Sequence, residues 1–229
     1  ENDTQPSIVC EPISVVPDLK GFASLSSLPR TGIAIIGSGS GLIRLFDYSS
    51  RQLFDLVTVQ SRPVTIYLFT AHTSQDGGST LRRRVEFAVT YPNMPYADLF
   101  SVEQVNSETT HADRARLLLP VPFAVSSSTL LLDGKYIMFG GKFGGMVLYK
   151  VEYGTDCELI WCDHRAHGTS LVSFMGTIPK ENDFEKSTTD YLMTCGRDGN
   201  YSVYMFESSF SAPRMIHRAS LPLGQIEGF

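Results

Sequence analysis

Cys157, Cys162, Asp163, His164 and His167 fall within eleven consecutive residues, and thiolates and imidazoles are the ligand types zinc prefers. A Cys-x4-Cys pair lies within tolerated ligand spacing. The intervening Glu158-Leu159-Ile160-Trp161 reads as a strand, however, which holds its ends too far apart for one ion unless it bends. Gly37-Ser38-Gly39-Ser40-Gly41 follows an apolar run and invites a dinucleotide-binding reading. That fingerprint needs a glycine in the sixth position and a helix beyond it. Here Leu42 takes the sixth position and the residues after it alternate like a strand. Gly140-Gly141-Lys142-Phe143-Gly144-Gly145 lacks the Gly-Lys-Ser/Thr ending of a phosphate loop, and no Gly-x-Ser-x-Gly nucleophile elbow occurs. No catalytic, cofactor-binding or metal-ligating residue is assigned, and a non-enzymatic role without a small-molecule substrate is expected. What remains is arginine. Arg82, Arg83 and Arg84 end a polar stretch, while Arg165 and Arg197 flank His167 in sequence. Guanidinium forks pair carboxylates and phosphates bidentately. These five are candidate contacts for a protein partner or RNA, with solvated loop charge as the alternative.

The elements that must position these groups are strands. Runs of four to eight residues rich in Val, Ile, Tyr and Phe alternate with Gly, Pro, Ser and Asn, and helical periodicity is nearly absent. One pattern repeats. Taking Gly41, Gly144 and Gly199 as anchors, an aromatic follows five residues later (Phe46, Tyr149, Tyr204) and an aliphatic four later (Leu45, Leu148, Val203). An apolar residue lies two after each anchor (Ile43, Met146, Tyr201) and a small one four before it (Gly37, Gly140, Cys195). Each copy reads as a hairpin whose turn needs residues that accept positive φ. The 103-residue gap between Gly41 and Gly144 has room for a degenerate copy at 85–102, with Leu99 and Phe100 in the aliphatic and aromatic slots. The mean repeat is about 53 residues, longer than the roughly 40–45 of a WD-repeat blade. Surface loops at 73–80, 106–112 and 180–189 are expected to absorb the surplus.

Composition bounds the rest. The chain has 229 residues, 42% hydrophobic and 19% charged, with a net charge of −5. A free-standing nucleic-acid binder usually carries a basic excess, so RNA contact would have to be local. No apolar run approaches the length of a membrane span. Four cysteines in 229 residues are too few for a secreted disulfide scaffold, so a cytoplasmic location is expected. The Asn-x-Ser/Thr sites at Asn2 and Asn200 read as chance matches, the latter at the mouth of a strand.

Thr194-Cys195-Gly196-Arg197-Asp198-Gly199-Asn200-Tyr201-Ser202-Val203-Tyr204 resembles the WD-repeat hairpin, which implies an all-β, WD-repeat β-propeller. About four divergent blades are expected, at 17–60, 61–119, 120–165 and 166–220, as part of a larger, seven-bladed ring in a longer chain. The resemblance implies that the turn residue Asp198 hydrogen-bonds a histidine of the preceding loop, matched here to His167. The aromatic-Asp dipeptide of the family survives as Phe46-Asp47. Structural hairpin roles therefore go to Gly41, Phe46, Asp47, Gly144, Tyr149, His167, Asp198, Gly199 and Tyr204. An ordered series is similar to one WD-repeat branch, the non-catalytic regulatory partner of the tRNA wobble-nucleotide 2′-O-ribose methyltransferase, most of all its fungal members. The series runs through 117–124, 139–149, 167–172, 194–201 and 223–228. This resemblance implies a scaffold that helps a methyltransferase engage tRNA at the anticodon wobble position. The fungal branch is also linked to endosomal recycling, and a general WD-repeat platform there or in ubiquitin-ligase assembly, without RNA, is the alternative.

Overall fold

The computed structural model describes residues 21–28, 31–60, 62–63, 65–75, 80–91, 94–106, 108–120, 123–178, 188–209 and 212–221. The described residues contain seventeen strands and no helix. The first sheet is β1 (Phe22–Ser27), β2 (Ile33–Ser38), β3 (Leu42–Asp47) and β4 (Gln52–Thr58), and the second is β5 (Thr65–Gln75), β6 (Leu81–Thr90), β7 (Tyr96–Val105) and β8 (Glu108–Leu118). β9 (Val125–Leu131), β10 (Tyr136–Gly141) and β11 (Met146–Lys150) begin the third sheet. Two-residue β12 (Asp156–Cys157) then leaves to pair in parallel with β8, and β13 (Leu159–Asp163) returns to pair with β11. The fourth sheet is β14 (Val172–Thr177), β15 (Thr189–Gly196), β16 (Asn200–Glu207) and β17 (Arg214–Ser220). Within each sheet consecutive strands pair antiparallel, and the first strand meets its neighbours' first strands: β1 lies beside β5, and β9 beside β14. This is the blade organisation of a β-propeller.

Alternation along the strands explains why the sheets stack. Ile33, Ile35, Ile43 and Leu45 turn one way from the first blade and meet Val85, Phe87, Val89 and Val102 of the second in one buried cluster. Ala97, Leu99, Ala115 and Leu117 turn the other way, onto Ile137, Phe139, Val147 and Tyr149 of the third blade. Met138, Met146 and Leu148 then meet Leu192, Tyr204 and Phe206 of the fourth. Among the described residues the short β12–β8 pair is the one strand ladder between blades, and side-chain hydroxyls make further bridges. Ser24 Oγ accepts from Ile66 N at 3.0 Å and Ser26 Oγ from Leu68 N at 2.9 Å. Tyr149 donates its hydroxyl to the Leu118 carbonyl at 2.6 Å.

The sequence reading puts loops at 73–80 and 106–112, and the structure corrects both. β5 continues to Gln75 and β8 begins at Glu108, so the surplus length extends the second blade's sheet. Alternation again gives the reason. Arg83 and Gln104 are 4% and 1% exposed on the face toward the first blade, while Arg82, Arg84 and Glu103 face outward. The third expected loop, at 180–189, lies mostly outside the described residues.

Arg82, Arg83 and Arg84 therefore belong to β6 itself, and Arg83 is not available as a contact for RNA or a partner. Its Nη2 reaches Asp47 Oδ2 at 2.5 Å, its Nη1 donates to Asn106 O at 3.0 Å, and its guanidinium carbon lies 4.7 Å from the centre of the Phe54 ring. Asp47 also accepts from the backbone N and hydroxyl of Ser49, at 2.9 and 2.6 Å. Burial works to raise the Asp47 carboxyl, but the bonds from Ser49 and Arg83 outweigh it and bring it from the ordinary 3.8 to about 2. A depressed folded-state value stabilises the fold above the unfolded-state value, and that stability is lost as pH falls through the folded one. Asp47→Asn should thus cost roughly 2 kcal/mol or more at neutral pH, at ~1.4 kcal/mol per unit. The gap in thermal midpoint from the parent should close as pH drops from 5 toward 2. A gap that stays constant over that range would show that the Asp47–Arg83 pair is not its source.

Candidate partner-docking face

Because strand direction alternates, the turns between second and third strands and the linkers between blades share one end of the sheet stack. At this end the third and fourth blades interlock. His167 N donates to Gly144 O at 3.0 Å between the two blades, while Arg197 N donates to Leu171 O at 2.9 Å within the fourth and Lys142 N to Ala124 O at 2.8 Å within the third. Ser126 and Ser127 hydroxyls both reach the Val172 carbonyl, at 2.8 and 3.0 Å.

Two glycines make the approach possible. Gly144 sits at φ +82°, and a Cβ there would lie 2.6 Å from Gly168 O. A Cβ on Gly196 would lie 2.5 Å from His167 Nδ1. Gly41 and Gly199 adopt the same left-handed region, at φ +89° and +74°.

His167 is fully buried at the centre of this end. Its Nδ1 lies 3.0 Å from Asp198 Oδ1 and its Nε2 lies 2.9 Å from Thr194 Oγ1. Asp198 further accepts from Asn200 N at 3.1 Å, Asn200 Nδ2 at 2.8 Å and Arg218 Nη2 at 3.1 Å, while Arg218 Nη1 reaches Ala166 O at 3.2 Å. Burial pushes the Asp198 carboxyl up, but hydrogen bonds from Asn200 and His167 outweigh it and hold the group below the usual carboxylate range. One carboxylate thereby fixes the linker, the turn and the outermost strand of the fourth blade together. Asp198 and His167 are fully engaged in holding the fold. Of the aromatic slots, Phe46, Tyr149 and Tyr204 are all buried.

The same end presents an exposed surface. Phe143 is 63% exposed at the tip of the third blade's turn, beside exposed Lys142. The 164–168 linker packed against that turn exposes His164 and Arg165, and the fourth blade's turn exposes Arg197. Arg165 and Arg197 thus belong to one face. Arg82 and Arg84 sit at the opposite end of the stack, where Arg84 pairs with Glu86 at 3.2 Å and Glu103 at 3.6 Å. The five arginines do not form one site. Lys142 and Phe143 are additions that sequence reasoning missed. A bulky aromatic among four glycines in a tight turn has no core to enter, and that was the available signal.

Cys157 packs in the core between the second and third blades, while Cys162 on β13 has its sulfur 3.6 Å from His164 Nε2.

No family model matches the sequence, and neither does any curated protein. Among solved structures, the chain is similar to the crystal structure of BBS1N in complex with ARL6DN, soaked with lead. The TM-score is 0.55 at 12% identity, over 94% of this chain and 60% of that one. It is likewise similar to the Myceliophteria thermophila Cps50 (Swd1) β-propeller domain, with a TM-score of 0.51 at 12% identity over 89% of this chain and 60% of that one. At such identity the likeness is one of fold, and it is a β-propeller fold. The chain spans about 60% of the length of each of these chains.

His167→Ala should lower stability by about 2–4 kcal/mol, because it strips a buried hydrogen-bonded network and leaves a cavity. Phe143→Ser should stay within about 0.5 kcal/mol of the parent. Denaturant midpoints measure both. Equal losses for the two variants would contradict the division into a holding network and a free surface.

Proposed function

We propose that this chain is a non-catalytic WD-repeat scaffold, part of a larger propeller, that partners a tRNA 2′-O-ribose methyltransferase and helps position tRNA for modification of the anticodon wobble nucleotide. The observation that carries this reading joins sequence to placement. Within the described residues, the ordered segments 117–124, 139–149, 167–172 and 194–201 all reach the same end of the sheet stack, as turns or linkers. The segment 223–228 lies outside the described residues. Around them stand an exposed aromatic ring and the cations of Lys142, Arg165 and Arg197. An unpaired base stacks on such a ring, and cations meet its phosphates. The net charge of −5 suits a subunit whose partner contributes much of the phosphate neutralisation. S-adenosylmethionine binding and catalysis belong to the methyltransferase in this reading.

A platform without RNA is the second reading. It is favoured by one observation: the BBS1N chain of similar fold was crystallised with a protein bound to it, ARL6DN.

Capture from cell extract with the immobilised chain separates the two. The scaffold reading expects a ribose methyltransferase together with tRNA, both lost with Phe143→Ser combined with Arg197→Glu. Recovery of coat, sorting or ligase subunits without tRNA would replace it with the second reading.

A further inference from the structure

At the outer edge between the first and second blades lies a cavity of roughly 410 Å³ that neither the holding network nor the docking face uses. Its polar wall is built around Asp98, whose side chain is only 4% exposed. Asp98 Oδ1 receives Arg114 Nη2 at 3.1 Å and Arg116 Nε at 3.0 Å, and Oδ2 receives the Tyr91 hydroxyl at 2.9 Å and Arg116 Nη2 at 3.4 Å. The Arg116 guanidinium carbon lies over the Tyr96 ring, 4.0 Å from its centre, and the Tyr91 and Tyr96 rings are 5.4 Å apart.

One carboxylate serves two guanidiniums, so this wall keeps a positive charge. Each guanidinium has five N–H donors. Arg116 spends its Nε and one Nη on Asp98, and Arg114 spends one Nη. Arg116 and Arg114 both line the cavity, with side chains 30% and 41% exposed. Asp156 lines a neighbouring recess on the far side of the two arginines rather than this one. Asp98 therefore acts as a buried strut that aims two forks at the same space. Tyr96 and Phe100 lie on the same face of the sheet as the two arginines, and the wall across from them is apolar, formed by Val57 and Val59 at the end of β4.

A lone inorganic anion would leave that wall unfilled. The volume lies in the roughly 300–1,000 Å³ range of small-ligand sites, and forked cations beside aromatic faces match a phosphate joined to a planar base. We propose that this cavity binds a nucleotide, with its phosphate on Arg114 and Arg116 and its base in the apolar space between β7 and the Val57–Val59 wall. The nucleotide is either a free mononucleotide or one residue of single-stranded RNA; the recognised chemistry is the same. This site stands whether or not the chain partners a methyltransferase, since it is on a different part of the molecule and its test uses no partner.

Calorimetric titration of the 229-residue chain with AMP, with a ten-nucleotide single-stranded RNA and with a ten-residue polyglutamate peptide tests it. Binding of AMP or RNA should weaken by about tenfold or more in Arg114→Gln. The thermal midpoint should hold, because Arg114 is 41% exposed and Asp98 keeps Arg116 and Tyr91. Arg116→Lys should retain charge but lose the fork, giving an intermediate loss. On the unmutated chain, AMP or the RNA should protect Arg114 and Arg116 from phenylglyoxal modification, read by mass spectrometry. Binding of both ligands identifies a free-nucleotide pocket, and binding of RNA alone a strand contact; either supports the assignment. Preference for polyglutamate, binding indifferent to Arg114→Gln, or failure of both nucleotide ligands to bind or protect would overturn it.

Discussion

The structure depends on one constraint: a blade has two apolar faces and can cover neither by itself. The second blade shows it most plainly. Val85, Phe87 and Val89 of β6 serve the first blade's cluster, while Ala88, between them, serves the third's. A strand here is therefore not amphipathic in the ordinary sense, since both of its faces are interior over the blade's middle. Stacking sheets at this closeness limits side-chain size where strands converge. A Cβ on Gly37 would meet Ile66 at 2.7 Å, and one on Gly140 would meet Ser127 at 2.5 Å. Small residues and serines line the inner strands for that reason, and the serine hydroxyls replace the ladder bonds that separate sheets cannot form.

Packing of this kind is permissive about which blade meets which, so directional bonds must fix the register. A carboxylate does this at each end of the stack, buried in one case and half-buried in the other. At one end Asp47 holds Arg83 across the first two blades; at the other Asp198 holds His167 and Arg218 around the fourth blade's turn. The partners differ in chemistry but the physical task is the same. A carboxylate in a turn accepts local backbone donors first, and then has capacity for one cation or imidazole from a neighbouring element.

The hairpins were legible because a tight turn between strands demands positive φ, and glycine announces that demand locally. Gly41, Gly144 and Gly199 each occupy it. The Arg82-Arg83-Arg84 run was not legible in the same way. Three cations in a row read as a solvated loop, and only the strand period separates the two that face outward from the one that faces Asp47. That separation requires knowing that the first blade extends far enough to cover Arg83, which is a tertiary fact. Arg114 and Arg116 are a related case. Their spacing of two residues puts both on one face of β8, yet the carboxylate that joins them lies on β7 and the cavity they line is closed by the end of β4. Phe143 is the opposite kind of miss, since its exposure followed from the glycines on both sides and needed no tertiary information.

The charge distribution turns an apparent contradiction into a design. A chain with more acid than base is a poor polyelectrolyte partner for RNA at long range, because steering follows the summed field. At contact distance the balance is different. Buried acids hold several of its cations in fixed poses, so side-chain entropy that a free surface arginine would lose on binding has already been lost on folding. Asp98 does this for Arg114 and Arg116, with Tyr96 beneath the second guanidinium. The turn around Gly144 does the equivalent for Phe143, since a backbone pinned against Gly168 leaves the ring little freedom beyond its own torsions. A surface built this way gives up long-range attraction and gains selectivity, because only a ligand with its anion and its ring at the right separation meets donors that are already in place. On the proposed function, an acidic scaffold with a few pre-aimed cations is better suited to positioning a nucleic acid delivered by a partner than to collecting one from solution.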